Sequence, residues 1–428
     1  MLIFLATVVV RWNVIQYRPL FSDLDNEDAT AHVLVTIAAL GETPPSTTHL
    51  LPIVTYGAET DKFIQSIPWS SGMDEYGNEF YVSFPPLGFL APYATLKLVG
   101  VAATPTAIRI FALALQLLAA ALMYLLIKRM LDCQRMDETA ANVTAVITAT
   151  IYICLPESLK SHTLSYWHHL LLQPLWILTL LLLLTEWRHR YWLMFILGFL
   201  LASTEWTGYL INISIALAAL FLYARTQLKE FLCLAVAFLL ASITAGVLLI
   251  CAYGVTIGID PFLDALWNRL RYRDANGPGF KGLADGYAQS FRYFWVILLS
   301  FALAGIVRQM SFGREARASS PGSFSQPWVM LFLLSFPLLE NLLLANHAAF
   351  YSFDRLKVAM PLLFLFARGV ASLDRRLVAL AGVSTIFFAF LSNWDFVRRY
   401  DLDFSSPIAR QYEVVGSTIR KYAEPTEV

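Results

Sequence analysis

Ten apolar runs, at 105–127, 139–156, 168–186, 191–205, 207–224, 230–254, 292–308, 327–345, 358–371 and 376–393, leave this chain few folds to choose from. Most approach the length of about 20 residues that a helix needs to cross a hydrocarbon layer. In lipid, a backbone must satisfy its own hydrogen bonds, and a helix does so within one segment. Residues 1–17, with Arg11 inside them, read as a first membrane helix, since no small-residue cleavage site follows. The expected fold is therefore an all-α polytopic membrane protein with about 11 spans.

Against that background, charge is informative wherever it concentrates. Only 14% of the chain is charged and 57% is hydrophobic, yet Asp23, Asp25, Glu27 and Asp28 place four carboxylates in six residues. Burying them without partners is costly, so they belong in water or in a polar site. Val33, Leu34, Ile37 and Leu40 follow at helical spacing and Gly41 ends the run. This describes an amphipathic helix lying on a membrane surface, too short to cross it, with Asp28 in its first turn and His32 one turn on. The simpler reading of Asp28 is an acidic N-cap. The functional reading is a carboxylate held at the mouth of a membrane cavity.

From Arg18 to about Phe84 the sequence is polar and rich in turn residues, with a hairpin expected around Met73–Asn78. The next stretch opens with Pro85-Pro86-Leu87, is interrupted by Pro92 and ends near Gly100, which suits a second juxtamembrane helix better than a span. With that assignment Arg129, Arg188, Arg225, Arg314 and Arg375 fall on one side, which the positive-inside rule makes the cytoplasm. The acidic cluster, the Glu157–His169 turn, the loop 255–291, the turn 345–357 and the tail after Asn393 then share the outer face.

Several polar residues on that face are candidates. Glu205 sits between two apolar runs with little polar sequence to hold it away from lipid, which makes it a functional-site candidate. Glu340 and His347 are seven residues apart and so on one helical face, and Tyr351, Arg355 and Lys357 follow at a membrane boundary. These two cations either anchor the interface or recognise a lipid phosphate, for which arginine offers a two-pronged donor. Arg269, Arg271, Arg273, Lys281 and Arg292 put five more cations outside, against the usual bias, around a turn at Asn276–Gly279 that would let the loop close as a lid. His162, His168 and His169 cluster without the carboxylate or cysteine spacing of a metal site, and Cys133, Cys154, Cys233 and Cys251 are scattered, so no metal or other cofactor is indicated. A net charge of zero argues against nucleic acid.

The layout resembles the C-type (GT-C) glycosyltransferase superfamily, most of all its branch of protein O-mannosyltransferases and the aminoarabinose lipid A transferase. The resembling parts are Glu27-Asp28 opening the helix to Gly41, Pro85-Pro86-Leu87, and Arg109 near the start of the second span. The family's Asp-Glu order is reversed here, Glu205 stands where a Lys-Gly turn is common, and His168 stands where an aspartate often begins the fourth span. The resemblance implies transfer of a sugar from a polyprenyl-phosphate donor to a lipid, glycan or protein acceptor at the extracytoplasmic face, with one carboxylate as base and inversion at the sugar. On this reading Asp28 is the base, with Asp25 and Glu27 as alternates. Arg355, Lys357, Arg271 and Arg273 bind the donor phosphate, and His32, Glu205, Glu340, His347 and Tyr351 contact substrate. Residues 1–393 form one transmembrane domain with an outer loop at 18–104, and 394–428 a short outer tail. The membrane would be a bacterial cytoplasmic membrane. The competing readings are a flippase of lipid-linked saccharides and a non-catalytic accessory subunit. A flippase would be expected to repeat its site motifs in pairs, and no second copy of the acidic cluster or of the Pro-Pro segment occurs.

The charge asymmetry makes a direct prediction. Single cysteines at Asp28 and Lys281 should react with an impermeant maleimide from outside the cell, and those at Arg129 and Arg314 only after the membrane is opened. Labelling of position 28 from the cytoplasmic side alone would invert the arrangement.

Overall fold

The structure, a computed structural model, describes residues 2–17, 28–56, 63–64, 71–134, 136–275, 278–311 and 323–400. The helices, in chain order, are α1 (Leu2–Tyr17), α2 (Asp28–Glu42), α3 (Pro45–Thr48), α4 (Leu87–Val99), α5 (Pro105–Cys133), α6 (Glu138–Cys154), α7 (Pro156–Leu164), α8 (His168–Leu183), α9 (Tyr191–Thr204), α10 (Trp206–Thr226), α11 (Lys229–Thr256), α12 (Ile259–Ala275), α13 (Gly279–Ser311), α14 (Pro327–Ser335), α15 (Leu339–Leu343), α16 (Ala345–Phe350), α17 (Ala359–Ala371) and α18 (Arg375–Tyr400). Between α3 and α4, β1 (Thr55–Tyr56) pairs with β2 (Phe63–Ile64) and β3 (Ser71–Met73) with β4 (Glu79–Tyr81), both antiparallel. A buried 3₁₀ turn, Ser352–Val358, joins α16 to α17.

Each expected apolar run carries a helix, so the all-α membrane class holds. Among the described residues, however, only α5, α10, α11, α13 and α18 are long and apolar enough to cross a membrane alone. The pair α6 and α7, bent by 55°, makes a sixth candidate, and the remaining apolar helices are shorter. The bend follows from Pro156, which has no N–H to donate and keeps Leu155 extended at φ −56°, ψ 133°.

Local chemistry sets other boundaries. Thr104 caps α5 by accepting from Ala107 N, and Asp137 caps α6 by accepting from Ala140 N. The hairpin expected near Met73 is present: Asp74 Oδ1 accepts from Tyr76 N and Asn78 N, and Gly77 supplies φ +77°. As expected, the Pro-Pro segment opens a separate helix, α4, which packs on α2 rather than extending α5.

Two expectations are corrected. The stretch 255–291 is not a loop, because α12 and the start of α13 occupy nearly all of it. Leu266 and Leu270 recur at helical spacing on α12, and the density of arginine on its other faces hid that periodicity. The chain past residue 394, expected as the start of a tail, is still helical, since α18 runs on to Tyr400.

One continuous apolar core joins α5, α6, α8–α11, α13, α14, α17 and α18. A smaller cluster holds α2, β4 and α4 against Tyr166, Trp167 and Phe353 at one end of the bundle. Arg11 is buried inside and donates from Nη1 to Gln116 Oε1 at 2.6 Å and from Nε to Thr7 O at 3.1 Å. At the same end as α2, the chain reverses between α9 and α10 through Glu205, extended at φ −164°, ψ 159°. A Cβ on Gly208 would lie 1.9 Å from Leu201 O, so only glycine lets α10 start that close to α9. Gly208→Ala should therefore lower stability by about 1–3 kcal/mol in thermal unfolding of the detergent-solubilised protein. Gly382→Ala, whose Cβ would meet nothing closer than 3.8 Å, should leave it unchanged.

Candidate active site

The 3₁₀ turn Ser352–Val358 arranges the polar end of the bundle. In a 3₁₀ helix, side chains at i and i+3 eclipse, so Asp354 and Lys357 share one face and Arg355 takes another. Asp354 reaches His347 and His169, and His169 also reaches Glu205. Lys357 Nζ lies 2.8 Å from Glu340, 3.7 Å from Glu205 and 3.0 Å from Thr207 Oγ1. Burial alone would raise the Asp354 carboxyl, but His169, then His347 and Lys357, hold it well below the usual carboxylate range. Burial opposes the charge on Lys357 as well, yet Glu340, Glu205 and Asp354 raise it above its ordinary value. His347 goes the other way: burial outweighs Asp354 and lowers it from its ordinary value.

Glu205, Glu340, His347 and Lys357, separated by up to 152 positions in the sequence, are thus brought into one network. His169 and Asp354, the residues at its centre, were not singled out as site residues in the sequence. The adjacent histidines were the one visible signal. Asp354 gave none, because nothing in 345–357 marks a 3₁₀ turn.

Next to the network, α12 contributes Arg269 and Arg273, four residues apart and so on one face. Arg273 is buried over the Phe84 ring, its Cζ 4.7 Å from the centroid, and its Nε and Nη2 have no hydrogen-bond partner. Burial first, then neighbouring Arg269, disfavour its charge. Arg271 is corrected: it lies on the opposite face, exposed and stacked 5.0 Å over Trp267. Arg355 is corrected too. Its guanidinium donates to Ser290 Oγ and to the carbonyls of Ala348 and Ala349, away from this site.

Asp28 is exposed at the start of α2. It acts on Tyr351, whose hydroxyl is pushed up to about 12 by burial first and then by Asp28, with Arg269 and Arg273 acting against. Asp28, Tyr351, Arg269 and Arg273 therefore share one electrostatic neighbourhood. His32 packs 4.4 Å from the Tyr81 ring and against Phe89 and Trp167, and burial followed by Arg269 lowers it to about 4. His168 donates Nδ1–H to Thr204 O, and Arg109 Nε donates to Leu164 O. Asp25 and Glu27 lie outside the described residues.

A cavity of about 750 Å³ lies between α10, α12 and α15. Its apolar wall is Trp206, Tyr209, Leu210, Leu263, Leu266, Trp267, Leu270, Leu343 and Leu344, with Ser83, Asp264, Arg269, Arg273 and Glu340 as its polar part. The wall carries two guanidiniums and two carboxylates, but Glu340 is paired with Lys357 while Arg273 keeps unpartnered nitrogens, so the apolar slot suits an amphiphile with an anionic head. His169, Glu205 and Asp354 bring donor atoms within 4.8 Å of one another, close enough to share a divalent cation. Each His169 nitrogen already faces a carboxylate and Lys357 stands beside Glu205, so much of the charge is compensated from within.

No protein-family model matches the chain, and no curated protein matches it. Its fold is shared with solved structures of an archaeal oligosaccharyltransferase. The apo crystal structure of the Archaeoglobus fulgidus enzyme aligns over 96% of this chain and 59% of its own, with TM-score 0.50 and 11% identity. The same organism's oligosaccharyltransferase AglB, in complex with an inhibitory peptide and a dolichol-phosphate, aligns over 91% and 55%, again with TM-score 0.50 and 11% identity. The chain spans little more than half the length of these proteins, and at this identity the likeness is one of fold.

The network makes a stability prediction. Lys357→Met leaves Glu340 and Glu205 buried without their ammonium and should cost about 3–5 kcal/mol in thermal unfolding. Arg271→Ala, at an exposed stacked site, should stay within about 0.5 kcal/mol.

Proposed function

We propose that this multi-pass membrane protein is a glycosyltransferase that moves a sugar from a polyprenyl-phosphate donor to an acceptor hydroxyl, at the membrane face that the charge asymmetry makes extracytoplasmic. The observation that carries the reading is Arg273: a buried guanidinium with two unpartnered nitrogens at the wall of an apolar slot, in the electrostatic neighbourhood of Asp28. Leaving charge-bearing donors buried and unpaired is expensive, and an anionic head would pair them. AglB in complex with a dolichol-phosphate, on the same fold, supports a lipid-linked donor of that kind.

In this reading the slot takes the isoprenoid chain, and Arg273 with Arg269 takes the phosphate that leaves when the sugar's anomeric bond breaks. Asp28 accepts the acceptor's proton as its oxygen attacks from the opposite side, giving inversion. Glu205 and Glu340 belong to the charged floor that fixes the 3₁₀ turn, while His32 and Tyr351 line the acceptor side. The chemistry needs no group beyond these side chains, so activity should survive a chelator. The flippase reading fits less well, because the polar groups gather at one end of the bundle rather than along a path through it.

Asp28→Asn retains the shape and the capping ability of the side chain but removes the proton acceptor. Turnover of a polyprenyl-phosphate sugar donor should fall by about 10²–10⁴ with folding intact. Arg273→Ala should instead weaken donor binding. Full turnover by Asp28→Asn would end its assignment as base, and unchanged donor affinity in Arg273→Ala would end the phosphate assignment.

A further inference from the structure

With Asp260, Asp264, Arg269, Arg271 and Arg273 among its 17 residues, α12 is too charged to cross a bilayer. Its surface divides into three sectors. At about 100° per residue, Phe262, Ala265, Leu266, Arg269 and Arg273 span about 100° and are buried or half-buried against the protein. Ile259, Leu263, Trp267 and Leu270 fall within an adjoining sector of about 80°, and each is 48–53% exposed. Asp260, Asp264, Asn268 and Arg271, all exposed, fill about 80° beyond that. Water accounts for the polar sector but not for four large apolar side chains beside it. A helix lying in the plane of a membrane interface accounts for both, one sector in lipid and the other in water.

The apolar sector continues a lipid-facing surface. α11, long and apolar enough to span, exposes Val247, Leu248 and Val255. Gly258, at a φ of +90° that glycine adopts cheaply, turns the chain, and Ile259 then packs on the last turn of α11, where a Cβ on Gly254 would lie 2.9 Å from Ile259 Cγ1. Where the apolar and polar sectors meet, Arg271 stacks over Trp267, Cζ 5.0 Å from the ring centroid. An indole under a guanidinium is a pairing suited to headgroup level, with the ring at the apolar boundary and the charge reaching for water. Leu263, Trp267 and Leu270 also line the slot, and so does Leu343 of α15, 72% exposed. The rim is therefore apolar on both helices. We infer that α12 lies in the plane of one bilayer surface, with Ile259, Leu263, Trp267 and Leu270 among the acyl chains, and that the slot opens sideways into lipid between α12 and α15. A membrane-borne amphiphile then reaches Arg273 without passing through water, whereas a soluble anion has to cross an apolar rim. The inference stands apart from the proposed transfer chemistry, and its test reads no activity.

The test is spin labelling of the full chain in phosphatidylcholine–phosphatidylglycerol nanodiscs, in a background of Cys133→Ser, Cys233→Ser and Cys251→Ser. Leu263→Cys, Asp264→Cys, Asn268→Cys, Leu270→Cys and Leu343→Cys are labelled one at a time. Power saturation reads collisions with oxygen, which concentrates in lipid, and with a nickel chelate, which stays in water. The oxygen-to-nickel ratio at 263, 270 and 343 should exceed that at 264 and 268 severalfold. All five side chains are exposed, and circular dichroism and elution volume check folding. If Leu270→Cys does not fold, Leu263→Cys decides for α12, and Leu339→Cys, exposed one turn earlier on α15, stands in for Leu343→Cys. Water-like ratios at 263 and 270, or lipid-like ratios at 264 and 268, overturn the interfacial placement of α12. A water-like ratio on α15 overturns the sideways opening of the slot.

Discussion

The structure depends on holding Asp354 ionised inside a membrane bundle. A buried carboxylate is tolerated only when cations and hydrogen-bond donors surround it. Here those partners come from distant parts of the chain: His169 from the start of α8, His347 from α16, and Lys357 one 3₁₀ turn away. Asn341 adds a donor to the Asp354 carbonyl at 3.1 Å. Satisfying this one charge therefore draws the ends of α8, α10, α15, α16 and α17 together. Glu205 extends the constraint to the α9–α10 reversal, where an ionisable residue without His169 and Lys357 would face lipid.

That rigid floor is built from the apolar core, whereas the groups proposed to meet substrate stand on helices at its rim. α2 carries Asp28 and His32, and α12 carries Arg269 and Arg273. Neither helix belongs to the main core: α2 packs through Val33 and Ile37, and α12 through Phe262 and Ala265, into the smaller clusters. A site whose charge compensation is fixed while its binding groups lie on peripheral helices can admit a long lipid without unpairing Asp354.

The sequence shows most of this framework and little of its interior. Hydropathy places a helix in each long apolar run because lipid demands apolar length, though not the arginine-rich α12, and Pro92, Gly100 and Asp74 mark the juxtamembrane helix and the hairpin by rules of local geometry. Glu205 and His32 stand out because polarity is conspicuous in an apolar chain. That Asp354 and Lys357 share a face, and Arg355 takes another, depends on a 3₁₀ rather than an α-helical turn. Seven residues of mixed polarity carry no periodicity that separates the two. Arg271 and Arg273 look equivalent as neighbours in a basic stretch. Only once α12 is known to be helical does the 100° step per residue send one to solvent and the other over Phe84.

Arg273 also shows why an anionic ligand, rather than a neutral lipid, suits the slot. The Phe84 face offers the guanidinium a cation–π contact, which orients it but forms no hydrogen bond through Nε or Nη2. Asp354 and Glu340 attract it, yet their own pairing with His169, His347 and Lys357 keeps them from closing a salt bridge on it. The floor thus holds nearby carboxylates away from the one arginine that most needs a partner. A phosphate entering the slot meets donors whose desolvation cost was met when the protein folded, so its binding is opposed chiefly by its own desolvation. A neutral headgroup would leave those donors unpaired, and that difference would set the selectivity of the proposed phosphate site.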